Sequence, residues 1–125
     1  MDRRERFREL HRGALFVMPN PWDVGSARIL ESMGFLALAT TSSGHAASLG
    51  RSDQHVTRDE LLAHVRALAS SVEVPLNVDA ERGFADDPAG VAETVELIAA
   101  ILDQHDFDKG DIEAILARIR SRWPG

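Results

Sequence analysis

The sequence predicts an α/β fold built on parallel strands, and three observations predict it. Three short apolar runs recur along the chain: Leu15-Phe16-Val17-Met18, Leu36-Ala37-Leu38-Ala39-Thr40 and Pro75-Leu76-Asn77-Val78. Each is followed by a segment with helical spacing and a recognisable start signal. Polar, hydroxyl or acidic residues come directly after each run, where a strand would end. Alternating strands and helices imply a parallel sheet with right-handed crossovers. Ligands in such folds gather beyond the C-terminal ends of the strands.

The elements follow in order. Residues 3–11 form a short amphipathic helix with Phe7 and Leu10 on one side. The first apolar run, at 14–18, is stopped by Pro19-Asn20-Pro21 and reads as a buried strand. Asp23 caps a helix over 24–33, whose apolar residues are Val24, Ala27, Ile29, Leu30 and Met33, with Gly34 as its stop. The second strand spans 36–40 and opens into a long loop of small and hydroxyl residues at 41–53. Thr57 and Glu60 make a capping box for a helix over 58–71, with Leu61, Leu62, Val65 and Leu68 inward. The third strand, 75–79, is followed by Asp87-Pro88, a helix start, and by a stripe of Val91, Val95, Ile98 and Leu102 over 88–102. Asp111 reads as the cap of a last helix with Ile112, Ile115, Leu116 and Ile119 inward.

Composition narrows the function classes. The chain has 125 residues, 44% hydrophobic and 27% charged, enough for one domain with its own core. A net charge of −6 gives no electrostatic support to a nucleic-acid partner. Without cysteine there is no disulfide, thiolate metal site or cysteine nucleophile. No apolar run approaches the roughly 18 residues that span a bilayer, so no membrane association is expected. The first residues, Met1-Asp2-Arg3-Arg4-Glu5-Arg6, do not read as a secretory signal, and a cytoplasmic location is the expectation. The stretch Asp106-Phe107-Asp108-Lys109-Gly110-Asp111 hints at a calcium loop but fails the EF-hand pattern, with Asp111 at the glycine position and Ala117 at the glutamate position. Arg118, Arg120 and Arg122 suit the end of a helix.

The chemistry concentrates in Pro75-Leu76-Asn77-Val78-Asp79-Ala80-Glu81-Arg82-Gly83-Phe84. On an extended backbone Asp79 and Glu81, two apart, leave the same face. Two carboxylates there repel or share a cation, and a hard ion such as Mg²⁺ accepts one or two carboxylates plus waters and an anionic substrate. A solvated turn rich in acids and glycine is the plainer alternative. Thr41, Ser42, Ser43 and Gly44 offer hydroxyls and successive N–H groups to a carboxylate; a simple small-residue turn would contain the same residues. His45 lies in that segment and is a candidate ligand contact, whereas His64 flanks the apolar stripe of its helix and reads as structural.

Four spaced motifs resemble the isocitrate lyase/phosphoenolpyruvate mutase superfamily: Phe16-Val17-Met18-Pro19-Asn20-Pro21-Trp22-Asp23, Thr41-Ser42-Ser43-Gly44, Ala47-Ser48-Leu49-Gly50-Arg51-Ser52-Asp53 and Val78-Asp79-Ala80-Glu81-Arg82-Gly83-Phe84. The resemblance covers about residues 5–100 and leaves a helical tail, 101–125, unmatched. It implies part of a (β/α)₈ barrel, with three parallel strands, flanking helices and a C-terminal helix. It further implies a Mg²⁺- or Mn²⁺-dependent lyase or mutase acting on C–C or P–C bonds of small α-keto or hydroxy acids. By resemblance, Asp79 and Glu81 carry the metal, with Asp53 assisting through water and serving as the catalytic group that orients it. Thr41, Ser42, Ser43 and Gly44 take the substrate carboxylate. A whole barrel of this kind needs about 250 residues. The family's later Glu-Asp pair, its gating loop with a catalytic lysine or cysteine, and its later arginine have no counterpart here. A truncated enzyme of low activity is therefore expected. The alternatives are a non-catalytic remnant or an interaction module. Open strand edges favour a homo-oligomer.

Overall fold

The computed structural model describes residues 2–104 and 109–122. Among these residues six helices and two strands follow one another: α1 (Arg3–Leu10), α2 (Val24–Ser32), β1 (Leu38–Ala39), α3 (Ser42–Ser48), α4 (Arg58–Ser71), β2 (Leu76–Asn77), α5 (Pro88–Asp103) and α6 (Lys109–Arg122). β1 and β2 pair in parallel, Leu38 beside Leu76 and Ala39 beside Asn77.

The helix starts follow from their caps. Asp23 accepts from the Ser26 amide, Thr57 from Glu60 and Asp87 from Gly90, each satisfying an N–H that the helix leaves without an internal partner. Asp2 does the same for α1. Two apolar clusters fix the packing. Ala27 of α2, Leu38 of β1, and Leu68 and Val72 at the end of α4 form one. Leu61, Val65 and Ala69 of α4 meet Ile98, Ile101 and Leu102 of α5 in the other, with Leu76, Val78, Ala80 and Phe84 against them. α4 thus stands between α2 and α5 and carries the sheet on its flank.

Three expectations need correction. The run at 14–18 is not a strand. Leu15 is 99% exposed and Val17 is also exposed, and the hydrogen bonds to the sheet come just beyond the run, where the Ala39 amide donates to the Pro19 carbonyl and Asn20 Nδ2 to the Ala39 carbonyl. Pro19 and Pro21 have no N–H to give, so a ladder cannot continue through them. The loop at 41–53 holds a helix, α3, because Thr41 caps it: its hydroxyl accepts from the Gly44 amide at 3.1 Å. α6 begins at Lys109, before Asp111, which is therefore inside the helix instead of capping it. Leu116 of that helix is buried and Ile119 half-buried. The side chains of Ile112 and Ile115, and the 105–108 part of the rejected calcium pattern, lie outside the described residues. Among the described residues no helix is long and apolar enough to cross a membrane.

Candidate metal and substrate site

The ends of β1 and β2 are tied by side chains. Thr40, buried directly after β1, accepts from the Asp79 amide through its hydroxyl at 2.8 Å. The Thr40 amide in turn donates to the Asn77 carbonyl at 2.8 Å. Asp79 therefore leaves the sheet beside the first turn of α3. Its Oδ2 accepts from the Ser42 amide at 3.2 Å, and its Oδ1 accepts from the Glu81 amide at 3.0 Å. One carboxylate thus holds both segments that the sequence singles out. Burial works to raise the Asp79 pKa, but hydrogen bonds from the Glu81 backbone and from the Ser42 hydroxyl and backbone outweigh it, and the group sits below its ordinary value.

Glu81 arrives differently from the expected extended geometry. Its φ is +52°, in the left-handed region, and a turn runs from it to Phe84, itself at φ +57°. A left-handed glutamate is costly by about 1–2 kcal/mol, and such strain collects at functional positions. Burial, then the charges of Asp53 and Asp79, push the Glu81 carboxyl above its usual range, with Arg82 partly offsetting them. The turn is built on Gly83, whose φ is +82° and whose hydrogen faces Val91: a Cβ there would lie 2.9 Å from Val91 Cγ1. The buried Thr94 hydroxyl donates to the Gly83 carbonyl at 2.6 Å.

Asp53 is exposed, accepts from the Gln54 amide at 2.9 Å, and acts on Glu81 through its charge. Thr41, Ser42 and Ser43 present hydroxyls at the start of α3, with Thr41 Oγ1 and Ser43 Oγ 3.4 Å apart. Gly44 has to be glycine, since a Cβ would meet Thr41 Cγ2 at 2.6 Å. His45 is turned inward. It is 8% exposed and its ring stacks on His64 instead of lying open to a ligand. Among the described residues no three His, Asp or Glu side chains stand close enough to enclose a cation alone. Asp79 and Glu81 suit a cation that keeps much of its water. Sequence reasoning did not find Thr40, whose only signal is a hydroxyl residue at the last position of the second apolar run.

Comparison with known proteins agrees with the motifs. The phosphoenolpyruvate phosphomutase family profile matches residues 7–102. An uncharacterised protein of Mycobacterium tuberculosis is 42% identical over 86 residues, covering 68% of this chain and 33% of its own length. The chain thus spans about a third of the length of the curated relatives it matches. Among solved structures, a candidate lyase/mutase from Burkholderia cenocepacia J2315 is 47% identical with a TM-score of 0.77, over 79% of this chain and 36% of that one. A 2,3-dimethylmalate lyase is 30% identical with a TM-score of 0.68, over 78% of this chain and 35% of the other. A phosphonopyruvate hydrolase in complex with oxalate and Mg²⁺ is 26% identical with a TM-score of 0.76, over 81% of this chain and 36% of the other. The chain belongs to the phosphoenolpyruvate phosphomutase family, within the phosphoenolpyruvate mutase/isocitrate lyase superfamily.

Proposed function

We propose that this chain carries the metal- and carboxylate-binding part of a Mg²⁺-dependent lyase or mutase site for small α-keto or hydroxy acids. The observation that carries the reading is the Asp79 carboxylate, fixed between the Ser42 and Glu81 amides, together with the Glu81 carboxyl group, which burial and then the charges of Asp53 and Asp79 push toward protonation. The donor set fits a hard divalent ion: oxygen ligands only, on groups whose mutual repulsion a cation relieves. Such an ion, held by Asp79 and Glu81, would supply Lewis-acid stabilisation of negative charge developing on a substrate oxygen. The chain's own part is to hold Asp79 and Glu81 in place and to offer the Thr41, Ser42 and Ser43 hydroxyls to a substrate carboxylate. Asp53, exposed and unhindered, orients water beside them.

Thermal unfolding with Mn²⁺ and oxalate tests this. Ligand at a hundred times its dissociation constant adds about 2.7 kcal/mol to the folded state. Asp79→Asn is expected to abolish the shift; an equal shift in both proteins refutes the site.

A second reading has its own observation. Leu15, Val17, Leu36, Ile29 of α2 and Met33 at its C-cap are large apolar side chains left exposed. They favour self-association of the chain, with the acid site retained and turnover low.

A further inference from the structure

His45 and His64 come from different helices, α3 and α4, and their rings lie face to face with centroids 3.8 Å apart and planes 13° from parallel. Each residue is more than nine-tenths buried, at 8% and 9% exposure. The Nε2 atom of each ring is buried without a hydrogen-bond partner. A neutral imidazole can leave a lone pair unsatisfied at modest cost. A protonated one adds a charge and an N–H donor that need an acceptor, and burying those without one is far more expensive.

The neighbouring carboxylates do not reach either Nε2 in this packing. The charged groups facing His45 are Glu60, from the first turn of α4, and Arg51, from the segment after α3. Glu60 is already engaged by the Arg51 guanidinium and by the Thr57 amide. Asp23, the cap of α2, faces His64, and its carboxylate is engaged by the Ser26 amide and hydroxyl. Meanwhile α3 has little else to hold it. Its seven residues bury only His45 and Ala46.

We propose that the His45–His64 stack is an acid-sensitive latch: neutral, it docks α3 on α4; protonated, it releases α3. Release carries the Ser42 amide away from Asp79, so acid loosens the start of α3 at the strand ends. The latch concerns contacts between two helices and does not depend on whether a cation binds.

The sign follows from burial. Burial is the main influence lowering both histidines, and it takes His64 down to about 4. Opening returns each ring to water, where it takes a proton near the ordinary value of about 6.5. The open form therefore binds more protons, and opening grows as pH falls. From His64 alone the opening constant of α3 rises about twentyfold between pH 7 and pH 5.

The test is residue-resolved amide hydrogen exchange of metal-free protein at pH 7 and pH 5, each rate divided by its intrinsic rate. The Ala46 and Ala47 amides are expected to gain about twentyfold in opening while staying less protected than the middle of α5, which exchanges through global unfolding. His64→Phe keeps an aromatic ring but not the titration, and is expected to remove most of the gain. A gain below threefold in the wild type, or an undiminished gain in His64→Phe, overturns the latch. Should that variant not fold, NMR titration of the imidazole Cε1–H signals decides. His45 and His64 titrating well below the ordinary histidine value of about 6.5 supports the latch, and ordinary midpoints for the pair overturn it. Loss of Mn²⁺ binding in Asp79→Asn with an intact exchange response would leave the two readings separately judged.

Discussion

Replacing Gly83 by alanine puts the construction of the acidic turn to a quantitative test. Two costs follow from the geometry. At φ +82° an L-side chain is strained, worth about 1–2 kcal/mol. The new Cβ also lies 2.9 and 3.0 Å from the two Val91 methyl carbons, on α5, and overpacking of this kind costs about 1–3 kcal/mol. The sum, ~2–5 kcal/mol, corresponds to a fall of roughly 8–20 °C in Tm at about 4 °C per kcal/mol for a domain of this size. Urea unfolding of the variant measures it. Val91→Ala separates the two parts, because it removes both crowded methyl groups and leaves the backbone strain. The double variant is expected to be more stable than the sum of the single effects by about 1 kcal/mol or more. A cost below about 0.5 kcal/mol for Gly83→Ala would refute the account of the turn. Additive effects would refute the clash while leaving the strain intact.

Two further outcomes are expected. Overall stability should fall with acid. The native His64 pKa of about 4 lies below the unfolded value, so stability is full above pH 6.5 and is lost as pH falls from there toward 4. The loss is about 2 kcal/mol between pH 7 and pH 5 before solvent at the edge of the stack trims it; a urea midpoint for the wild type that does not move with pH, or moves equally in His64→Phe, counts against it. Light scattering at micromolar concentration should give a mass above 13.7 kDa if the exposed apolar side chains mediate self-association, and a compact monomer would remove that reading.

Local signals were legible where they act within a few residues. Asp23, Thr57 with Glu60, and Asp87 with Pro88 are side chains that bond an amide three positions on, so the starts of α2, α4 and α5 can be read directly. The motif around Asp79 and Glu81 was legible as a pair of acids, but not the way they meet, since nothing in the letters Asp-Ala-Glu-Arg-Gly reveals a left-handed Glu81. α3 was misjudged because Thr41-Ser42-Ser43-Gly44 has the composition of a loop, and only the Thr41 cap turns it helical. The run at 14–18 has strand composition but lacks a partner for most of its length among the described residues, and the prolines after it withhold donors. The stack of His45 on His64 joins positions 19 apart and is a product of packing α3 on α4, which no periodicity encodes.

The left-handed backbone at Glu81 has a consequence for laboratory evolution. Asparagine or glycine accepts that conformation with less strain than glutamate, and removing one acid from beside Asp53 and Asp79 relieves repulsion as well. A library screened for heat resistance alone would therefore enrich Glu81→Asn and Glu81→Gly. It would discard the carboxylate while every measure of folding improved. Screening for retained Mn²⁺ affinity alongside survival keeps the two selections from diverging.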